Sequence, residues 1–206
     1  MWGIMFIKIS SEKDIKKLYK KLWLYKSFLY RKTFFSSNNN IDINTKYIID
    51  ALNIKRRRDR ITFIFDKTCE IIDAKNKGVD ICNFKGRVCL AHQCNKNKTY
   101  YDGCCRICLY KTTKGCPTKN IACKLYNCRM VKETFDVYNY NDLKILRLLS
   151  LKNRIIVRHD YFSLREDVLK DLYSYSLIYS TIRMVSRIMK NYLKVRKIDK
   201  YEGGKK

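Results

Sequence analysis

The sequence predicts a mainly α-helical protein, a body of N- and C-terminal helices with a central, irregular, cysteine-rich insert stapled by metal. Three observations carry this. Apolar residues in both flanks recur at three- and four-residue intervals, the period of one buried helical face. Eight cysteines, Cys89, Cys94, Cys104, Cys105, Cys108, Cys116, Cys123 and Cys128, lie within forty central residues. That central stretch is poor in large aliphatic side chains and holds the only proline, Pro117. A chain of 206 residues suffices for one domain with its own core. We divide it into a helical segment over 1–80, a cysteine-rich segment over 81–130 and a helical segment over 131–206, forming one compact unit.

In chain order, the opening MWGIMFIKIS has a short apolar stretch broken by Lys8, with neither a basic leader nor a small-residue cleavage site. It does not resemble a signal peptide, so a reducing cytoplasm is expected. A first helix is expected over Ser11–Lys32, with Ile15, Leu18, Tyr19, Leu22, Tyr25, Leu29 and Tyr30 on its apolar face and Ser11 with Asp14 as its N-terminal cap. Ser36 to Asn40 is polar and aperiodic and reads as a loop. A second helix is expected over Asn44–Ile54 and a third over Arg58–Ala74, with Ile61, Ile64, Phe65 and Ile71 or Ile72 inward. The β-branched content at Arg60–Phe65 leaves a strand there as an alternative.

Beyond the cysteines, Asn141–Leu151 reads as a short amphipathic helix and Arg154–Arg158 as an apolar link able to pair as a strand. Ser163 and Glu166 form a capping-box pattern that opens the longest helix, running towards Lys194. Its stripe of Leu169, Leu172, Ser176, Tyr179, Ile182, Val185, Met189 and Leu193 is expected to face the core rather than an anionic membrane surface, with Arg183, Arg187, Lys190 and Lys194 on the other side. No run of eighteen apolar residues exists, which excludes a transmembrane helix. The tail from Lys200 is expected to fray.

The chemistry is concentrated in CLAHQCNKNKTYYDGCCRICLYKTTKGCPTKNIACKLYNC. In an oxidising compartment an even set of close cysteines is a disulfide framework; in a reducing one the thiolates are available to a metal. Cys105-Arg-Ile-Cys108 is the sharpest element, because two thiolates two residues apart on a tight turn grip one ion from one side. Gly103 and Gly115 precede cysteines where the backbone must turn closely. Pro117 suits a turn leading into a short helix over Thr118–Tyr126 that carries Cys123.

Gly-Cys-Cys-x2-Cys, then Gly-Cys-Pro, then Ala-Cys-Lys-Leu-Tyr-x-Cys resembles the YkgJ-type cysteine-cluster proteins, described as zinc- or iron-chelating, whose relatives include the flagellin lysine N-methylases. The resemblance covers Cys89 to Cys128 and fits best at Cys104, Cys105, Cys108, Cys123 and Cys128. It implies metal binding. All eight cysteines are therefore candidate ligands, for two zinc ions by preference, with an iron–sulfur cluster as the alternative. Adjacent Cys104 and Cys105 have diverging side chains and are expected to serve different centres. Cys69 and Cys82, outside the run, read as small core hydrophobes. His92 reads as a loop residue rather than a ligand. His159 beside Asp160 reads as a surface or structural histidine rather than a general base.

Charge is the second constraint. Lys and Arg total 45 against 19 Asp and Glu, a formal net charge of +26. Residues 81–130 contain ten basic side chains and a single acid, Asp102. Two tetrathiolate zinc centres would carry only −4 between them, so most of the excess survives. Self-repulsion on this scale favours a polyanionic partner. Nucleic acid, with its dense phosphates, is the leading expectation, and an acidic protein surface the alternative. The candidate contacts are Lys55, Arg56, Arg57, Arg58 and Arg60, with Arg106, Lys124 and Arg129 in the cysteine segment. Tyr100, Tyr101, Tyr110 and Tyr126 lie among those cations as stacking faces or as packing for metal knuckles. Two function classes follow. One is a non-enzymatic metal-binding module on nucleic acid, regulatory or accessory, which charge and length favour. The other is an iron–sulfur enzyme acting on a protein side chain, as the resemblance to the methylases implies.

Overall fold

The structure, a computed structural model, describes residues 4–27, 29, 32–37, 41–77, 84–85, 88–89, 108–110, 120–127 and 129–203. It is mainly helical, as expected. The chain opens, however, with strand β1 (Met5–Ile9), which pairs in parallel with β2 (Thr33–Ser37) in the register Met5↔Thr33 to Ile9↔Ser37. A parallel pair needs a crossover. Helices α1 (Glu12–Lys20) and α2 (Leu22–Ser27) supply it.

The expected single helix over Ser11–Lys32 is thus two helices that stop at Ser27. The break falls at Lys21, whose amide is shared between the carbonyls of Lys17 and Leu18 and whose backbone leaves helical geometry (φ −99°, ψ 9°). The N-terminus matches the expectation. Ser11 Oγ accepts from the Asp14 amide at 3.2 Å, and Asp14 Oδ2 accepts from the Ser11 amide at 3.1 Å. Ser36 and Ser37, read as loop, end β2, where Thr33 and Phe35 point inward and Phe34 outward. Asn53 fixes this strand to α3 (Ile43–Asn53) by accepting from Phe35 N–H and donating to Phe35 C=O.

Helices α3 and α4 (Arg57–Lys75) fall within a residue or so of the expected spans, and the strand alternative at Arg60–Phe65 does not form. Helix α4 buries Ile61, Ile64, Phe65, Thr68, Cys69, Ile71 and Ile72, an apolar face broad enough for the middle of the body. It packs on α3, on α5 (Ile121–Lys124), on α8 (Arg165–Tyr173) and on the second of two 3-10 helices, Tyr140–Asp142 and Lys144–Leu148. Residues from both flanks, Leu18, Ile48 and Phe65 with Ile145, Ile156 and Leu172, share one core.

The expected helix over Asn141–Leu151 is replaced by those 3-10 helices. Leu143 (φ −84°, ψ 76°) and Leu149 (φ −71°, ψ 151°) interrupt it. Arg154–Arg158 is not an extended link either. It lies inside α7 (Leu151–His159), opened by Ser150, whose hydroxyl accepts from the Asn153 amide. The capping box at Ser163 is also absent. Leu164 is the N-cap of α8 and makes no side-chain cap bond, while Ser163 Oγ donates to Asp160 Oδ1 at 2.5 Å. The long helix divides at Ser174 (φ −57°, ψ 146°) into α8 and α9 (Leu177–Gly203). Cations hold the freed carbonyls at the α8 C-terminus, as its dipole favours. Arg57 donates to Tyr173 O at 2.9 Å and Leu172 O at 3.3 Å, and Lys152 to Asp171 O at 2.7 Å.

The largest correction concerns the rotation of α9. Ile182, Val185, Met189 and Leu193, expected inward, are each more than half exposed. The inward row is Ser180, Met184, Arg187, Asn191 and Val195. Electrostatics sets this choice. Asp160 and Asp171 have side chains with no exposed surface, and a buried carboxylate without a cation is costly. Only the rotation that turns Arg187 inward, with Arg183 reaching Asp171 from the exposed rim, supplies one. No described helix is long and apolar enough to cross a membrane.

Candidate metal centre and basic surface

Helix α5, which carries Cys123, is held against the corner between α7 and α8. Asn120, buried, caps α5 and joins it to that corner. Its Oδ1 faces the Cys123 amide at 3.4 Å, and its Nδ2 donates to Asp160 O at 2.7 Å and Ser163 O at 3.0 Å. Ile121 and Ala122 are buried beneath it. Cys123 is half-buried, and its Sγ accepts from the Phe162 amide at 3.3 Å. Phe162 has φ 60°, the one positive value for a non-glycine among the described residues. A bulky side chain in that region carries local strain. The turn at Tyr161–Phe162 thus coincides with an N–H aimed at sulfur. Tyr161 meets Tyr126 edge-on at 5.6 Å between centroids.

Cys108 is buried at 4 % exposure, and the next residue anchors it, because Leu109 N–H donates to Asn191 Oδ1 of α9 at 2.9 Å. Cys89 closes a short antiparallel ladder, β3 (Phe84–Lys85) against β4 (Val88–Cys89), opposite Phe84. Cys94, Cys104, Cys105, Cys116 and Cys128, with Cys82, His92 and Arg106, lie outside the described residues. The expected helix Thr118–Tyr126 is described only from Asn120 and is helical over Ile121–Lys124. Among the described residues no three His, Cys, Asp or Glu side chains converge. The donor chemistry still fits a soft or borderline ion. Backbone amides donating to sulfur are the outer contacts that orient and tune metal-bound thiolates, and the Cys123 contact is of that kind. Cys69 is of the other kind. Buried on α4, it has its thiol pushed by desolvation from 9.0 up to about 12, so it is an inert core residue as expected.

Beside Cys123 lies an ionic network that sequence reasoning missed. Arg187 Nη2 reaches Asp160 Oδ2 at 2.7 Å and Asp171 Oδ2 at 2.5 Å, and its Nε donates to Ser163 Oγ at 2.8 Å. Arg183 holds the other oxygen of Asp171 at 2.5 Å. Burial pushes the Asp160 carboxyl above its usual range, against the pull of Ser163 and Arg187. Burial also opposes the Arg187 charge, but the Asp171 hydrogen bond and both carboxylates outweigh it. His159 is exposed at the end of α7, and Asp160 serves Arg187 rather than His159. The only available signal was the i, i+4 spacing of Arg183 and Arg187 on a helix following two aspartates.

The basic run from Lys55 divides by orientation. Lys55 turns inward, donating to Thr33 O at 2.5 Å with its Nζ 4.3 Å from the Phe34 ring centre. Arg57 caps α8 and stacks on Tyr175 at 4.4 Å. Arg60 is half-buried; burial lowers the Lys55 pKa first, and the nearby Arg60 charge lowers it further. Arg56 and Arg58 face solvent, Arg56 3.9 Å from Asp59 and Arg58 5.6 Å from the Tyr173 ring centre. Lys124 ion-pairs with Asp73 across α5 and α4. Arg129 opens α6 (Arg129–Thr134), and its side chain lies outside the description. Asp66 and Arg165 form a two-bond pair at 2.7 and 2.6 Å between α4 and α8.

Comparison with protein-family models, with curated proteins and with solved structures finds no match to this chain.

Proposed function

We propose that this protein is a cysteine-cluster metal protein of the YkgJ type, without catalysis of its own, that binds nucleic acid in a regulatory or accessory role within a reducing compartment. Cys89, Cys94, Cys104, Cys105, Cys108, Cys116, Cys123 and Cys128 hold zinc, and the metal supplies folding energy to a segment that has little apolar core. Arg56 and Arg58 contribute outward-facing cations from the Lys55–Arg60 run. The observation carrying the proposal is the eight-cysteine spacing, whose member Cys123 accepts an amide hydrogen bond of the kind thiolate ligands receive. The net charge of +26 supports the polyanion.

The test is elemental analysis and an absorption spectrum on anaerobically purified protein, followed by binding to a single-stranded oligonucleotide across a salt series. We expect colourless protein with about two zinc ions and an affinity that falls steeply with salt. Cys105→Ser and Cys108→Ser should lose metal and solubility together. Metal-free native protein refutes the centre, and a flat salt dependence refutes the nucleic-acid partner. Brown protein with broad visible absorption would instead favour the iron–sulfur enzyme acting on a protein side chain, the reading closest to the motif resemblance.

A further inference from the structure

A second site lies between the 3-10 helices and α7. Tyr140, Asn141, Leu143, Leu146, Arg147 and Arg154 line a cavity of about 120 Å³. One water needs only about 10–15 Å³ of such space, so the cavity takes a group larger than a single water. Arg154 is half-buried, and its Nε is sealed from solvent with no acceptor. Among the described residues its guanidinium forms no hydrogen bond or ion pair. Arginine is seldom left this way, because desolvating a cation without a partner is costly.

The surroundings add positive charge. Lys26 Nζ donates to Arg147 O at 2.8 Å and Leu149 O at 3.3 Å, so it sits against the same 3-10 helix. Burial lowers its pKa first, and the nearby charges of Arg154 and Arg60 lower it further. Arg158 lies 5.4 Å from the centre of the Tyr140 ring, and Lys144 covers the neighbouring Tyr19. The nearby acids are engaged in their own turns. Asp42 accepts from the Thr45 amide and hydroxyl, and Asp142 from the Asn139 amide. Two arginines in the lining, further cations nearby and a buried donor without an acceptor together suit an oxyanion.

We infer that the cavity between Arg147 and Arg154 binds a phosphoryl group, either free phosphate or the phosphorylated end of a nucleic-acid strand. Arg154 supplies the planar fork of donors that suits phosphate oxygens. Arg147, Tyr140 and Asn141 complete the lining, and Lys26 and Arg60 add field from behind. The inference does not depend on metal at the cysteines or on the exposed cations of α4.

The experiment is thermal unfolding and titration calorimetry of the full chain, with inorganic phosphate against chloride at matched ionic strength. Phosphate should raise the melting temperature saturably, since a ligand of the native state stabilises it. Arg154→Met should bind phosphate at least tenfold more weakly. In chloride alone it should melt no lower than wild type, because it removes an unsatisfied charge. Arg196→Met, on the exposed part of α9, should keep the full response. The inference falls if phosphate stabilises no more than chloride, or if Arg154→Met keeps the response. Should Arg154→Met fail to fold, Arg147→Met and the calorimetry on wild type decide the matter. A third arm compares one oligonucleotide with a 5′-phosphate and with a 5′-hydroxyl. Preference for the phosphorylated strand, competed by inorganic phosphate, identifies a strand end as the source. Equal, uncompeted binding beside a retained phosphate response identifies the free anion.

Discussion

Replacing Arg187 by methionine is the most informative single perturbation of this fold. Arg187 is the shared cation of two aspartates whose side chains are wholly buried, while its own side chain is 20 % exposed. The two partners do not lose equally. Asp171 keeps Arg183 at 2.5 Å. Among the described residues, Asp160 is left with the Ser163 hydroxyl at 2.5 Å, a neutral donor, as the sole partner of its carboxylate. Orphaning one member of a buried ion pair costs about 3–5 kcal/mol. For a chain of this size that corresponds to a fall of roughly 6–20 °C in melting temperature.

The loss depends on pH in a definite direction. Burial already holds the Asp160 carboxyl above its usual range with Arg187 present, and losing Arg187 raises it further. The folded variant then keeps a proton to higher pH than the folded wild type, so its deficit relative to wild type grows as pH rises above the ordinary carboxyl range and shrinks towards it. Urea unfolding at pH 7 and pH 4 measures both parts. Adding Asp160→Asn to Arg187→Met should recover most of the loss at pH 7, because no unpaired charge remains. An Arg187→Met protein within about 1 kcal/mol of wild type, the scale of an exposed pair, or a loss that Asp160→Asn leaves unchanged, refutes the proposed role of the network.

Two further outcomes test the frame around the cysteines. Asn120→Ala removes two donated bonds and the cap of α5, each worth about 1 kcal/mol with more for buried acceptors left unpaired. We expect a loss of about 2–4 kcal/mol in urea unfolding, together with faster exchange of the Phe162 amide; unchanged exchange would break the link from Asn120 to the Cys123 contact. Cys69 has its thiol raised to about 12, so between pH 9 and pH 12 the unfolded chain loses a proton that the folded chain keeps. Stability should therefore fall across that window, and Cys69→Val should flatten the fall. An identical alkaline limb in the two proteins would contradict the burial of Cys69.

The helices legible in the sequence were those whose periodicity and caps agree. Ser11 with Asp14 fixed the start of α1, and α4 was marked by Ile61, Ile64, Phe65, Ile71 and Ile72. Features decided by distant partners were not legible. Met5–Ile9 becomes a strand because Thr33–Ser37 lies beside it, a pairing across a two-helix crossover that local patterning does not encode. Ile155, Ile156 and Val157 favour a strand by propensity, yet burial of Asn153, Ile156 and Val157 on one helical face decides for α7. The apolar stripe of α9 misled most, because hydropathy ranks arginine as an outside residue and takes no account of two aspartates waiting inside. At the candidate site, spacing marked Cys108 and Cys123 as candidate ligands. Asn120, Asn191 and the Phe162 amide were not marked, since each acts through a residue far away in sequence.

The bond from Arg187 back to Asp160 and Asp171 also bears on how the chain acquires its shape as it is made. Domains emerge and organise from the N-terminus during synthesis. Here the α7–α8 corner cannot bury its carboxylates until a guanidinium translated sixteen residues after the second of them has arrived. Until then hydration favours those acids at the surface, so closure of the corner is tied to the arrival of α9, which acts as its bolt.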